Sequence, residues 1–268
     1  MSLAALNIIP APSFSTLNTQ WWQPDPALQR WIQCLWTTSI QTTSTILSPD
    51  KLYPDAGASL IIEFNDQQAE CFYFYNTETT RHLWSPHLNR LSVRLKPGAI
   101  AQLLHPDFLE MTNVLVPLDD RILPGIGHLL ESLLQQTFEC QVQTVQAWLL
   151  NRASSLPKED SKITRLVSQL HDQVINPCTF AVDHGMSRRT LERNLRREMG
   201  VSPKQLHEFN RIRKARQLLI RTPLALSDVT LEAGYYDQAH FTNVFHASTM
   251  ETPAQYRQRK MSQFSKAE

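Results

Sequence analysis

The 268 residues suffice for one large domain or two ordinary ones, and a composition 42% apolar and 19% charged excludes a disordered or fibrous chain. No apolar run approaches the roughly 20 residues that cross a bilayer as a helix, and Met1–Phe14, without a basic residue or a long apolar core, reads poorly as a secretory leader. The net charge of +1 conceals a division: residues 158–268 carry 18 Lys and Arg against 12 Asp and Glu, a net +6, whereas residues 1–157 carry 8 against 13, a net −5.

In the acidic half, Pro54-Asp55-Ala56-Gly57 predicts a turn into a buried strand, Ser59 to Phe64, because apolar and β-branched residues run together there. Cys71–Tyr75 and Leu91–Leu95 predict further strands. Pro97-Gly98 then turns into a helical stretch ending near His105, and Leu123–Thr137 and Val142–Arg152 predict amphipathic helices. The aromatic set Trp21, Trp22, Trp31, Trp36, Phe72, Tyr73, Phe74 and Tyr75 suits either core or the wall of an apolar pocket. Cys34, Cys71, Cys140 and Cys178 form no C-x-x-C pair and are expected as buried free thiols of a reducing compartment, which places the chain in the cytoplasm.

The polar stretch Arg152–Ser161, interrupted by Pro157, predicts the linker, and sets domains at 1–155 and 156–268. Beyond it, Thr179–His184 predicts a short helix with Ala181 turned inward, and Gly185 a tight turn. Ser187 is placed to cap the next helix, on which five arginines fall within ten positions, 188 to 197. At about 100° per residue, Leu191, Leu195 and Met199 form its buried stripe, while Arg189, Arg193, Arg196 and Arg197 share a face turned away from it. Only Glu192 and Glu198 interrupt the positive charge, so the face is poorly explained as an ordinary solvated one. Gly200 ends the helix. Ser202-Pro203 starts a longer one, with apolar positions Leu206, Phe209, Ile212, Ala215 and Leu218, stopped by Thr222-Pro223.

The plan then repeats about 50 residues on. Leu226–Ala233 predicts a short helix, Gly234 its turn, and Asp237 the cap of a helix to about Ala247 that buries Phe241 and Phe245 and turns Gln238, His240, Thr242 and Asn243 outward. Thr252-Pro253 opens a last helix bearing Tyr256 and Arg257. A short helix, a turn containing glycine and a second helix make a helix-turn-helix, whose second helix enters the major groove of DNA. The long helix, Pro203 to Ile220, would span about 27 Å at about 1.5 Å per residue, enough to hold two reading helices near one duplex turn apart.

Phe180-Ala181, Gly185-Met186-Ser187, Thr190-Leu191-Glu192-Arg193, Gly200-Val201-Ser202-Pro203, Ala233-Gly234-Tyr235-Tyr236-Asp237-Gln238-Ala239-His240-Phe241, Phe245, Thr252-Pro253 and Tyr256-Arg257 together resemble the AraC-type (AraC/XylS) family of bacterial transcription regulators, over Lys162–Lys260. Tyr53-Pro54-Asp55 and Leu91-Ser92-Val93-Arg94-Leu95-Lys96-Pro97-Gly98-Ala99 resemble the amino-terminal domain of one subgroup. The resemblance implies an α+β chain: an N-terminal mixed β-barrel-like and helical sensor or dimerisation domain, then an all-α domain with two helix-turn-helix units joined by a long helix. Met250 and Thr249 depart from the family's glycine and apolar residue, Thr230 and His184 from small residues, and a looser end of the second reading helix is expected.

The implied function is sequence-specific binding of double-stranded DNA in transcription regulation, activating or repressing, controlled through the N-terminal domain. RNA polymerase, a small-molecule effector and a second copy of the chain are candidate partners, and a membrane is not. By face and by family position, Arg189, Glu192, Arg193, Gln238, His240 and Asn243 are the expected base contacts, and Arg188, Arg196, Arg197 and Lys204 the phosphate contacts. The alternative is a metal-dependent barrel enzyme with an appended DNA-binding module; a third reading makes the first half a protein-interaction module without a small ligand. His82 and His87 with Glu78 give no H-x-H or H-E-x-x-H spacing. No G-x-S-x-G is present, and Gly125-Ile126-Gly127 lacks the third glycine of a dinucleotide loop, so neither catalysis, a metal nor a cofactor is expected.

Overall fold

A computed structural model describes residues 18–39, 49–85, 87–156, 164–166, 169–170 and 174–264. Met1–Phe14 and residues 157–161 of the expected linker lie outside the described residues. The N-terminal part holds eight strands: β1 (Asn18–Trp22), β2 (Ile32–Ser39), β3 (Asp50–Leu52), β4 (Ala58–Phe64), β5 (Ala69–Tyr75), β6 (Thr80–His82), β7 (Asn89–Leu95) and β8 (Leu115–Leu118). Six form an antiparallel sheet in the order β1-β2-β7-β4-β5-β8, and β3 pairs with β6 as a separate two-stranded ribbon. Helices α1 (Ala99–Leu103), α2 (Ile126–Leu133) and α3 (Phe138–Ala153) follow. The predicted strands at 59–64, 71–75 and 91–95 and the three predicted helical stretches are all present, each with ends shifted by a few residues.

Strands β4 and β7 lie in the middle of the sheet and are buried nearly throughout; β4 is mostly apolar, whereas β7 buries Leu91, Val93 and Leu95 among polar residues, of which Arg90 and Arg94 find partners across the sheet. A Cβ at Gly57 would come within 2.7 Å of the Leu95 carbonyl oxygen, so only glycine lets the turn enter β4 against β7. The register sets Glu63 opposite Arg90, whose guanidinium bonds the carboxylate at 2.7 Å and lies over Trp84. A charge buried this deeply is tolerable only with such a partner. Strands β1, β2, β3, β6 and β8 go beyond the sequence expectation. The buried positions of β2 do not alternate, so no period of two marks it. Of the aromatic set, Trp31, Tyr73, Phe74 and Tyr75 are core, and Trp21 packs on Trp36 across β1 and β2 with ring centroids 5.6 Å apart. All four cysteines are free; Cys34 and Cys71 are buried, whereas Cys140 and Cys178 are exposed, contrary to the expectation that all four are buried.

The C-terminal part is helical: α4 (Pro177–Asp183), α5 (Arg188–Met199), α6 (Pro203–Arg221), α7 (Leu226–Glu232), α8 (Gln238–Thr249) and α9 (Pro253–Phe264). The α6 stripe is Leu206, Asn210, Ile212, Ala215 and Leu219; Phe209 and Leu218, expected inside, are half-buried. Asn210 takes a core position where its side-chain amide N–H donates to the Leu170 carbonyl at 2.8 Å, which offsets part of the cost of burying it.

Two hydrophobic cores divide the molecule, and the division falls within α6. One core runs unbroken from the sheet through α1, α2 and α3 into Phe180, Leu191, Leu195, Met199, Val201 and Leu206. The other gathers Ile212, Ala215, Leu219, Val229, Tyr235, Phe241, Phe245 and Tyr256. The first helix-turn-helix unit therefore shares its core with the N-terminal sheet, while the second has its own.

Candidate nucleic-acid interface

Helix α5 starts where Ser187 accepts a hydrogen bond from the Thr190 amide at 3.1 Å. Its inward stripe is Leu191, Asn194, Leu195 and Met199. Arg188, Arg189, Glu192, Arg193, Arg196 and Arg197 are all exposed, and Lys204 is exposed at the start of α6. Arg189, Arg193, Arg196 and Arg197 thus share an outward face, as expected, and Arg188 is exposed in the first turn. Among the described residues no ion pair engages Arg188, Arg189 or Arg193. Arg196 bonds Glu192 at 3.1 Å one turn away, and Arg197 bonds Glu198 at 2.9 Å. An exposed pair of this kind is worth only about 0.3–0.5 kcal/mol. The Glu192–Arg196 pair therefore opens at little cost.

The second unit repeats the plan with different chemistry. Asp237 caps α8 by accepting from the His240 amide at 2.8 Å, and Phe241 and Phe245 are fully buried. Gln238, His240 and Asn243 are exposed, and Thr242 is half-buried. His240 rests its ring edge-on against Tyr235, centroids 5.7 Å apart, so it is partly held by the turn. No Lys or Arg occurs between Arg221 and Arg257, leaving α8 almost uncharged beside α5. One residue escaped the sequence reading. The turn from glycine to cap takes Gly185-Met186-Ser187 in the first unit but Gly234-Tyr235-Tyr236-Asp237 in the second. The extra residue, Tyr236, is 95% exposed at the positive N-terminal end of α8. The two turn lengths, compared directly, were the available signal.

Helix α6 fixes the two units on one rod of 19 residues, about 28 Å long. Tyr235, in the second turn, donates to Glu208 of α6 at 2.5 Å, and Arg211 of α6 lies over its ring. The departures flagged in the sequence are accommodated. Thr230 and Thr249, both buried, donate their hydroxyls to Leu226 and Phe245, four residues back, each at 2.7 Å. His184 approaches the Phe180 carbonyl at 2.9 Å through Nδ1. Met250 adopts the left-handed conformation at φ 59°, and its amide reaches His246 O at 2.7 Å, closing α8 as Gly200 at φ 72° closes α5 at 2.9 Å. The expected looser ending is not observed; its cost is backbone strain instead.

The N-terminal part touches the C-terminal ends of both α5 and α8. Tyr75, fully buried at the end of β5, donates its hydroxyl to Met199 O at 2.6 Å, and Leu109 packs on Gly200. Four residues further on, Thr79 donates to Ser248 O at 2.5 Å. Lys51 on β3 donates to Thr249 O at 3.1 Å and pairs with Glu251 at 3.3 Å, and Glu251 also binds Arg259 at 2.7 Å. Tyr53 lies under the Arg216 guanidinium, 3.7 Å from its ring, and edge-on to Tyr256. These contacts left no mark in the sequence. Burial, with Arg259 and Arg216 beside it, pushes the buried Lys260 amine down to about 7.

Among the described residues no three His, Cys, Asp or Glu side chains gather to hold a metal. His82 instead packs on Trp84, centroids 4.0 Å apart, and His87 is exposed. No described helix is long and apolar enough to cross a membrane.

Residues 180–259 match the model of a helix-turn-helix domain, and residues 20–117 that of a domain of unknown function (DUF6597). The chain is 30% identical over 135 residues to the HTH-type transcriptional activator RhaS of Shigella boydii serotype 18, covering 48% of this chain and 49% of that protein. It therefore spans about half the length of that relative. To the RhaS of Escherichia coli O81 it is 26% identical over 270 residues, covering 80% and 97%. Among solved structures, the C-terminal domain of AraT, a response regulator from Geobacillus stearothermophilus, is 27% identical with a TM-score of 0.34, covering 37% of this chain and 86% of that one. ToxT from Vibrio cholerae is 12% identical with a TM-score of 0.42, covering 79% and 95%.

Proposed function

We propose that the chain is an AraC-type helix-turn-helix transcription regulator, and that it reads two successive major-groove segments on one face of the duplex, one with α5 and one with α8. The observation that carries this reading is the pair of exposed, side-chain-capped helix starts held on one α6 rod. Arg189 and Arg193 take guanine O6/N7, Glu192 takes cytosine N4, and Gln238, with His240 and Asn243 a turn beyond, takes adenine. Arg188, Arg196, Arg197 and Lys204 clamp phosphates, which adds affinity without sequence information. Tyr236 adds a hydroxyl for phosphate at the start of α8. Because α8 carries no arginine, α5 supplies most of the affinity and α8 supplies alignment and modest discrimination.

The domain at 156–268 binds DNA in the cytoplasm, and the domain at 1–155 senses or dimerises. A small-molecule effector, RNA polymerase and a second copy of the chain are the further partners proposed. The regulator reading outweighs an enzyme because the matched relatives are regulators. Selection of duplexes from a random library by the full chain tests the proposal. A motif in two parts, centred about 10 base pairs apart and rich in guanine under α5, is expected. Recovery of a single compact motif, or of none, would refute it. Thermal shift against a metabolite library tests the sensor role, since a ligand held only by the folded state raises the midpoint.

A further inference from the structure

The two reading helices are anchored to the N-terminal part in different ways. Helix α5 ends inside the continuous core: Met199 and Val201 are fully buried, Leu109 packs on Gly200, and Tyr75 caps the Met199 carbonyl. Helix α8 belongs to the separate core and meets the N-terminal part through a largely polar seam, with Lys51, Tyr53 and Thr79 on one side and Ser248, Thr249, Glu251 and Arg216 on the other. The last carbonyls of a helix have no partner within it and form the negative end of its dipole, so a hydroxyl and an ammonium are well suited to hold them.

The segment joining the two anchors is short and stiff. From Tyr75 to Thr79 the backbone reaches at most about 14 Å. Asn76, nearly fully buried, donates to Leu52 O at 2.9 Å and Glu78 O at 2.8 Å. Asn113 accepts from the Thr77 and Glu78 amides at 3.0 and 3.1 Å, donates to the Thr77 hydroxyl at 3.1 Å, and bonds Tyr75 O through its own amide at 2.8 Å. A segment bonded on every side cannot stretch, so it transmits position rather than merely linking.

We propose that Thr79 and Lys51 are positioning residues that set the spacing and phase of α8 relative to α5, so that the N-terminal part serves as a ruler for the two DNA segments. The inference rests on the two-segment reading above. The two cores meet within α6, between Leu206 and Ile212, where even a small bend or twist of the rod would leave α8 free to shift relative to α5. The polar seam removes that freedom.

The test uses the full chain and duplexes it has itself selected from a random library. The two contacted segments are moved one or two base pairs apart or together, and affinity is read by fluorescence anisotropy. The wild type is expected to lose at least about tenfold at each altered spacing, because one base pair rotates a site by about a tenth of a turn. In Lys51→Met/Thr79→Val the loss should shrink below about threefold, while a duplex keeping only the α5 segment binds within about twofold of wild type. Lys51→Arg should restore the preference. A role confined to stability would lower affinity at every spacing alike and leave the ratios unchanged, which would overturn the ruler. Should the double variant fail to fold by circular dichroism, Thr79→Val alone is read by the same ratio. A wild type indifferent to spacing would overturn the two-segment reading itself rather than the part assigned to Lys51 and Thr79.

Discussion

Helices α5 and α8 end in the same left-handed conformation on different residues, and substitutions there should differ in size of effect. In Gly200→Ala, a Cβ at φ 72° costs about 1–2 kcal/mol. That Cβ lies 3.2 Å from Leu109 Cβ and 3.3 Å from its carbonyl oxygen, so crowding adds about 1 kcal/mol. Reduced freedom in the unfolded chain returns about 0.5–1 kcal/mol. The net is a destabilisation of about 2 kcal/mol, or about 4–8 °C in midpoint for a chain of this size. In Met250→Gly the same strain, about 1–2 kcal/mol, is relieved. Against this stand the unfolded-state entropy of glycine, about 0.5–1 kcal/mol, and partial loss of a Met side chain that is 39% exposed, about 1 kcal/mol. The net lies within about 1 kcal/mol of zero. Midpoints from circular dichroism on heating, with urea titration beside them, measure both. Equal destabilisation by the two substitutions would refute the argument that backbone conformation, rather than side-chain packing, governs these caps.

Other outcomes follow from the same geometry. Arg193→Ala should cost about 1–3 kcal/mol in binding and relax preference at one base pair, whereas Arg197→Ala should weaken all duplexes alike and lower the salt slope by about 1; titration at several salt concentrations separates them. Asp237→Ala removes the cap of α8 and should lower stability by about 1 kcal/mol in urea unfolding. Lys260, held near 7 when folded against an unfolded value near 10.5, binds its proton less tightly in the native state. Between those pH values the unfolded chain holds the extra proton, so this group makes stability rise with pH across that window, and below 7 its burial penalty is fully felt. Lys260→Met should be more stable than wild type at pH 6, with the difference shrinking toward pH 10; a pH-independent difference in urea midpoints would contradict the assignment.

The helix-turn-helix half was legible because its signals are local. Ser187, Gly200, Ser202-Pro203, Asp237 and Thr252-Pro253 each mark a helix end within a few residues of where it falls, and Phe241 and Phe245 lie on one face by spacing alone. The N-terminal half was legible only where apolar runs were dense, as in β4. Strand β2 has no alternation to find, and β3 and β6 are three residues each. Asn210 shows the limit of reading polarity as exposure, since its partner Leu170 lies 40 residues away. The contacts from Tyr75 to Met199 and from Thr79 to Ser248 span 124 and 169 positions. No local period encodes a pairing at that distance, so the tie between sheet and reading helices came only with the three-dimensional structure. The arginine face of α5 was visible as charge, but which arginines are already paired was not.

Both units are proposed to read DNA from one chain, with the arginine helix dominant. Footprinting of the full chain on its selected duplex, repeated with Arg189→Ala/Arg193→Ala and with Gln238→Ala/Asn243→Ala, tests it most directly. Protection should span two successive major grooves on one face of the duplex. The arginine pair should weaken binding more than the Gln238/Asn243 pair at physiological salt, and the latter should thin protection in the second groove alone. Protection confined to one groove and unchanged by the Gln238/Asn243 pair would contradict the account and leave α8 as a structural helix.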